Sequence, residues 1–407
     1  MKENKTTDKG NHQKIKTVIC IVLAAAIWIP AAPHVLAAAG VTPSLDPSRM
    51  AASMSRRYLT LWREGGYSKA AREQQLAPLR RQNPEWDFMS RTYTVLALAN
   101  LARQSPSRET HYVDAIDRII DDTLQSEKSR GMHYFLMAYA KRAPFKHQPG
   151  RSLFIDGEIA LMLGARRLVK DSPEFKEQMK ARVETIYNQM KDSPLLSAES
   201  YPDECWMFCN AIAIAALHLS DHLDKTLYEP FIRSWLKMVK TRLIDKKSGL
   251  LVSSYKLDGT PLDGPEGSSL WMVLHCLKLV DRGFAAAQYA LAKKALIRNV
   301  MGYGYAREWP ESREGASDVQ EDIDSGPIVP GFGASPGASG LAILGAATFN
   351  DTETLNALLR SLIAFGLPNE KDGELRFDAS NLVGDAVILY ALTQGRLFKD
   401  VGKGIER

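Results

Sequence analysis

Between residues 46 and 395 apolar side chains recur every three to four positions in one segment after another. That period buries one stripe of a helix and leaves little room for strands. The spacing predicts helices over 46–64, 86–103, 109–127, 152–170, 173–191, 203–221, 225–243, 267–281, 284–299, 335–349, 351–365 and 382–395. They group as six hairpins, with tight connections alternating with longer ones that carry Gly and Pro. One stretch reads differently: Gly249 to Tyr255, followed by Lys256-Leu257-Asp258-Gly259, predicts a short β-hairpin.

The helices are of two kinds. Some are built from small apolar residues, as in Asn210-Ala211-Ile212-Ala213-Ile214-Ala215-Ala216. Others carry a charged face, as in 173–191 with Glu174, Lys176, Lys180, Arg182 and Glu184. A less polar inner ring wrapped by a more polar outer one meets this requirement, because an inner helix is buried on most of its surface. An open solenoid and two stacked bundles are the alternatives, but a solenoid calls for a repeat of fixed period, and the sequence shows none. The fold class expected is therefore all-α, an (α/α)6 toroid of about six hairpins with a central pocket, forming a single domain over residues 38–407.

The first 37 residues have another character. Lys2, Lys5, Lys9, Lys14 and Lys16 precede an apolar run from Val18 to Ile29, and Val35-Leu36-Ala37 supplies small residues for cleavage. This is the pattern of a secretory signal, and its apolar core is shorter than the roughly 20 residues a membrane-spanning helix needs. Export to the periplasm or medium is expected, with membrane attachment only if the segment stays uncleaved. Removing residues 1–37 takes away five Lys and two acids, so the formal charge falls from +5 to +2. A near-neutral surface gives no reason to expect nucleic-acid binding. Three cysteines remain, Cys205, Cys209 and Cys276, an odd number that makes no disulfide framework. Oligomer formation is left open.

In a toroid the loops leading into the inner helices surround the central funnel, and here those loops are rich in acids. They include Asn83-Pro84-Glu85-Trp86-Asp87, Asp156-Gly157-Glu158, Tyr201-Pro202-Asp203-Glu204, Asp263-Gly264-Pro265-Glu266-Gly267-Ser268 and Asp322-Ile323-Asp324. Pro202 suits a first helical turn, and Asp203 and Glu204 would follow it at the positive end of the helix dipole. These acids could therefore cap a helix rather than do chemistry. Glu158 precedes Ile159-Ala160-Leu161-Met162-Leu163, so its carboxyl should stand on an apolar helix, where burial raises the pKa and fits it for proton transfer.

Other signals point away from metals and nucleotides. Cys205 and Cys209 lie one helical turn apart, but no second pair completes a zinc set. His218 and His222 lack the Glu of a metalloprotease helix. His275-Cys276 sits in an apolar run and reads as core. Gly302-Tyr303-Gly304 lacks the remaining glycine of a dinucleotide loop. No metal and no cofactor is expected.

The stretch from Tyr201 to Asn210, then Trp235-Leu236, Leu243-Ile244-Asp245, Ser254-Tyr255 and Trp271, resembles the core of the linalool dehydratase/isomerase family. Phe154-Ile155-Asp156-Gly157-Glu158-Ile159-Ala160-Leu161-Met162 resembles its upstream segment, and weaker likeness continues through Glu374-Leu375-Arg376-Phe377. The resemblance runs over about residues 85 to 395. It implies an exported (α/α)6 barrel whose pocket residues protonate and deprotonate an allylic alcohol without a cofactor. Cys209 matches the family's second catalytic cysteine, whereas Ser200 stands at the first. The catalytic histidine falls on Glu158, and a pocket tyrosine falls on Ser268.

A carboxylate in place of an imidazole, and a hydroxyl in place of a thiol, point to the family's fold with altered chemistry. The expected machinery is Glu158 as general acid, Asp203 as base or orienting group, and Cys209. Asp156, Tyr201, Trp206, Tyr255, Glu266, Ser268 and Asp324 are the expected binding surface. The ligand is a small molecule or an oligosaccharide. Three functions follow: a lyase or isomerase on a hydroxylated substrate, a glycoside hydrolase or polysaccharide lyase on envelope carbohydrate, and a non-catalytic sugar- or lipid-binding protein of the envelope.

Overall fold

The computed structural model describes residues 17–20, 22–24, 31, 46–313, 322–323, 326–329 and 331–401. Most of the expected export segment 1–37 lies outside the described residues; of it, 17–20 and 22–24 are helical and exposed. Among the described residues no helix is long and apolar enough to cross a membrane.

Among the described residues between 47 and 392 there are thirteen α-helices. The first four are α1 (Pro47–Trp62), α2 (Lys69–Gln82), α3 (Pro84–Gln104) and α4 (Glu109–Arg130). Next come α5 (Leu153–Val169), α6 (Pro173–Met190), α7 (Met207–Asp224), α8 (Glu229–Arg242) and α9 (Gly267–Val280). The last are α10 (Arg282–Leu296), α11 (Pro336–Thr348), α12 (Thr352–Phe365) and α13 (Leu382–Leu392). Helix α3 packs on α5, α5 on α7, α7 on α9, α9 on α11, α11 on α13, and α13 back on α3. These six form a closed inner ring. Helices α4, α6, α8, α10 and α12 return along the outside, and α1 fills the sixth outer position against α13 and α4. The fold is an (α/α)6 toroid whose last hairpin is completed by α1.

Burial follows the two compositions. In α7 every residue from Met207 to Ser220 is buried, and α9 is buried almost throughout. In α8 only Ile232, Trp235, Leu236 and Val239 are buried, a single stripe at helical spacing. The inner ring is tight enough to need glycine at contacts. A Cβ on Gly157 would stand 3.4 Å from the Ala213 nitrogen and 3.5 Å from the Cys209 oxygen, so α5 meets α7 nearly backbone to backbone.

The seams between rings are ionic where inner helices begin. Asp87 in α3 pairs with Arg80 and Arg91, Asp156 in α5 with Arg151 and Arg182, and Asp385 in α13 with Arg57. All three acids are buried. A buried acid is tolerable when cations and hydrogen bonds surround it, and the positive helix start adds to the effect.

The structure corrects the expected elements in three places. Helix α2 was not expected; it is polar, with only Leu76 and Leu79 buried, so it lacks the stripe that marks a helix in sequence. The helix expected from 203 starts at Met207. Tyr201 to Glu204 instead make a tight turn, with Tyr201 N–H donating to Glu204 O (3.1 Å) and Glu204 N–H to Tyr201 O (2.9 Å). Pro202 then Asp203, at φ 58°, fit the two central positions of a type II turn.

The hairpin expected over 249–259 is a three-stranded sheet of β1 (Cys205–Trp206), β2 (Ser254–Tyr255) and β3 (Pro261–Asp263). Three further two-stranded ribbons were not foreseen. They pair β4 (Ile297–Val300) with β5 (Tyr303–Ala306), β6 (Asp322–Ile323) with β7 (Gly326–Pro327), and β8 (Pro368–Lys371) with β9 (Glu374–Phe377).

Candidate active site

Because each inner helix is followed by an outer return, all six inner helices point the same way. Their N-termini open on one end of the ring, and the acid-rich loops gather there. Glu158 stands in the second turn of α5, 1% exposed, with Thr92 Oγ1 of α3 donating to its Oε2 at 2.5 Å. Burial lifts its pKa to about 8; the Thr92 hydrogen bond works against the rise, and the nearby negative charge of Glu85 works with it. The acid is protonated at neutral pH. Tyr93, next in α3, is buried within reach of the Glu158 charge, and its hydroxyl has no hydrogen-bond partner.

A second group adjoins the first. Tyr201 donates its hydroxyl proton to Glu85, in the first turn of α3, and accepts from the Met137 N–H at 3.0 Å. Its ring stacks on Tyr139 with centroids 4.3 Å apart. Cys209, in the first turn of α7, is hydrogen-bonded to Ser200 and feels the charges of Glu85, Glu158 and Glu204; burial above all holds its thiol well above the usual range. Ser200 Oγ also accepts from Trp206 N–H (3.2 Å), which fixes it beside the helix start. Glu158, Glu85, Tyr201, Ser200 and Cys209 thus form one polar cluster at the mouth of α3, α5 and α7. It holds a neutral acid, a carboxylate–phenol pair and a thiol that stays protonated.

Other expected site residues are placed elsewhere. Asp156, two positions from Glu158, faces the outer ring, where Arg151 (2.6 and 2.9 Å), Arg182 (2.5 Å) and Gln189 (2.8 Å) occupy its oxygens. These partners hold its pKa down against burial. Asp203 is in the turn described above, ion-paired with Lys146 at 2.6 Å, at a more open position than Glu158. Tyr255, in β2, is fully buried and donates to Ser197 Oγ at 2.9 Å. Trp206 is half-buried and donates its Nε1 proton to Glu204. Glu266 is the buried N-cap residue of α9, its own N–H donating to Ser253 Oγ at 2.9 Å. Ser268 donates from Oγ (2.5 Å) and N–H (3.0 Å) to Glu308. Asp324 lies outside the described residues.

Thr92, Tyr93 and Glu308 were not among the expected site residues. Thr92 and Tyr93 belong to a long helix without a motif, and Glu308 follows a strand that was not foreseen. Glu85 was visible in a lead-in loop but had no signal to set it above its neighbours. Among the described residues no group of His, Cys, Asp and Glu could hold a metal ion, and all four cysteines are free thiols. His275 is core, with Nδ1 2.8 Å from Thr348 Oγ1 and Nε2 2.7 Å from the Tyr390 hydroxyl. Burial drops its pKa to about 3. His218 is buried against the Val401 carbonyl at 3.1 Å.

A family model described as linalool dehydratase/isomerase matches residues 157–382, more than half of the chain. Among solved structures, an unsaturated glucuronyl hydrolase from Bacillus sp. GL1 is similar at 10% identity, covering 74% of this chain and 84% of that one, with a TM-score of 0.48. A GH76 α-mannanase from Bacteroides thetaiotaomicron is similar at 11% identity, covering 76% and 86%, with a TM-score of 0.48.

Proposed function

The chain belongs to the linalool dehydratase/isomerase family, and we propose that it is an exported acid/base enzyme that dehydrates or isomerises a hydroxylated substrate in the funnel around Glu158. The observation that carries this reading is a fully buried carboxyl with a pKa of about 8, beside a carboxylate–phenol pair and a protonated thiol. A neutral acid and a base held close together are what removal of water from an alcohol needs. The basic head and short apolar run of residues 1–37 support export.

In the proposed cycle Glu158 gives its proton to the substrate hydroxyl. The C–O bond breaks, its electron pair leaves with water, and the positive charge left on carbon faces an acidic cluster. Glu85, buttressed by Tyr201, takes a proton from the adjacent carbon, that C–H electron pair becomes the new double bond, and after product release the proton passes from Glu85 back to Glu158 through water, which restores the starting state. In an isomerisation water adds instead at the far end of the allylic cation and returns a proton to Glu158. Cys209 and Ser200 supply weak hydrogen bonds to the oxygen in transit. Asp203, expected from sequence as the base, is less suited than Glu85 because Lys146 holds it at the turn.

The test is turnover of a panel of terpene alcohols and envelope oligosaccharides by the mature protein and its Glu158→Gln variant. Dehydration or isomerisation of an alcohol, reduced at least ~100-fold in the variant, is the result expected for loss of a general acid. Turnover of oligosaccharides alone, or alcohol turnover indifferent to the substitution, would overturn the reading.

A further inference from the structure

The funnel occupies one end of the ring, and the flank of the ring carries a feature of another kind. Helices α8 and α10 stand on either side of an open cleft of about 560 Å³, floored by Leu236 of α8 and by Leu279 and Val280 at the end of α9. Arg233, Lys237 and Lys240 line it from α8, at the i, i+4 and i+7 positions that share one helix face, and Arg282 lines it from the start of α10. All four side chains are exposed. The turn after α8 carries the charge across to α10. Lys246 and Lys247 are exposed in that turn, and Gln288 of α10 holds it by donating to Gly249 O at 2.9 Å. Leu291 of α10, 40% exposed, lies beside the same turn, 3.6 Å from where a Cβ on Gly249 would stand.

Positive charge is concentrated on this flank. Residues 229–250 hold six Lys and Arg against two acids, and residues 278–298 hold five against one. The two segments carry +8 together, whereas residues 38–407 as a whole carry +2, so the rest of that span sums to −6. A near-neutral total hides the asymmetry, because the compensating acids lie elsewhere. The three acids of the flank are each engaged. Glu229 pairs with Arg233, Asp281 with Lys240 at 2.6 Å, and Asp245 accepts from the Ser248 N–H (2.8 Å) and hydroxyl (2.5 Å). Lys237, Lys246, Lys247 and Arg282 have no acidic partner among the described residues.

We propose that the α8–α10 flank docks the protein against an anionic phospholipid bilayer, with no need of the N-terminal segment. Charge complementarity selects an anionic occupant, and each Lys or Arg close to such a surface strengthens binding by about fivefold. The apolar floor selects a bilayer over a soluble polyanion. Long cationic stems set around Leu236, Leu279, Val280 and the exposed Leu291 suit the boundary between headgroups and acyl chains, where charge and apolar area both contribute. Because outer helices run along the ring axis, docking by this flank lays the axis along the membrane and leaves the funnel mouth clear of it. The docking is independent of the reaction at Glu158.

The measurement is co-sedimentation with vesicles of phosphatidylglycerol and phosphatidylcholine in equal parts. Residues 1–37 are removed so that their own Lys residues and apolar run cannot contribute, which leaves the ring from α1 to α13 whole. The protein should sediment with these vesicles at low salt, be released as salt rises, and stay in solution with phosphatidylcholine alone. The triple variant Lys237→Gln, Lys246→Gln, Lys247→Gln should bind about 100-fold more weakly, three steps of about fivefold, with its melting temperature unchanged. A control triple, Lys69→Gln, Lys128→Gln, Lys141→Gln, removes the same charge from exposed positions off this flank. It should lose less than about threefold, because those sites lie more than a screening length from the docked surface. No binding to the anionic vesicles, or equal losses in the two triples, would overturn the proposal. Binding to heparin or a DNA duplex while vesicles are left in solution would also overturn it, and would assign the flank to a soluble polyanion.

Discussion

At the scale of single residues, what each carboxyl can do depends on how it is paired. Glu158 and Asp156 are two positions apart in one helix, roughly 200° around its axis. Asp156 therefore meets three outer-ring and lead-in donors, while Glu158 meets a single threonine hydroxyl. Sequence put both in the site because α5 is buried nearly all round, and a helix without an exposed face does not declare which side is the pocket. The difference has a thermodynamic consequence. The native state of Glu158 holds its proton up to about 8, against an ordinary glutamate value of 4.5. Between those values the folded protein binds the extra proton, so this group's contribution to stability falls as pH rises. Glu158→Gln should therefore raise stability relative to wild type at pH 7 by up to about 3 kcal/mol. The gain should vanish near pH 4, as read by denaturant titration at both values. A variant equally or less stable at pH 7 would place an ionised, compensated carboxylate at this position.

At the scale of elements, the inner helix starts do two jobs, and their acids divide accordingly. Asp156 locks α5 to α6 and α4 through Arg182, Arg151 and Glu127. Asp156→Ala should cost roughly 3 kcal/mol, because it takes one of their two acids from Arg151 and Arg182 and leaves both on Glu127 alone. Asp203→Asn should leave the unfolding midpoint unchanged, since its ion pair is with a largely exposed lysine. Equal losses in the two variants would contradict this division. The turn at Asp203 also shows why the site was only partly legible. Proline serves equally well at a helix start and at the second position of a type II turn, and aspartate at positive φ leaves no mark in the sequence. The polar helix α2 escaped because it buries only Leu76 and Leu79, and the ribbon strands because two to four residues are too few to display a period.

At the scale of the whole molecule, alternation of small-residue and charged-face helices sufficed to foresee the ring. The closing contact between α13 and α1, the two ends of the folded region, was not visible because nothing in a local pattern reports a partner more than 300 residues away. That closure makes the funnel a shared property of loops far apart in sequence, while the packing of α3 on α5 and of α5 on α7 brings Glu85, Glu158, Ser200 and Cys209 together. The family match and this convergence support the proposal of acid/base chemistry at one end of the ring, with Glu158 as the proton donor. The measurement that bears on it most directly needs no substrate: carbon-13 NMR titration of the side-chain carboxyls in the mature protein, with Glu158→Gln identifying the resonance. A Glu158 signal that titrates near 8 is the predicted result, and one that titrates near the ordinary 4.5 would contradict it.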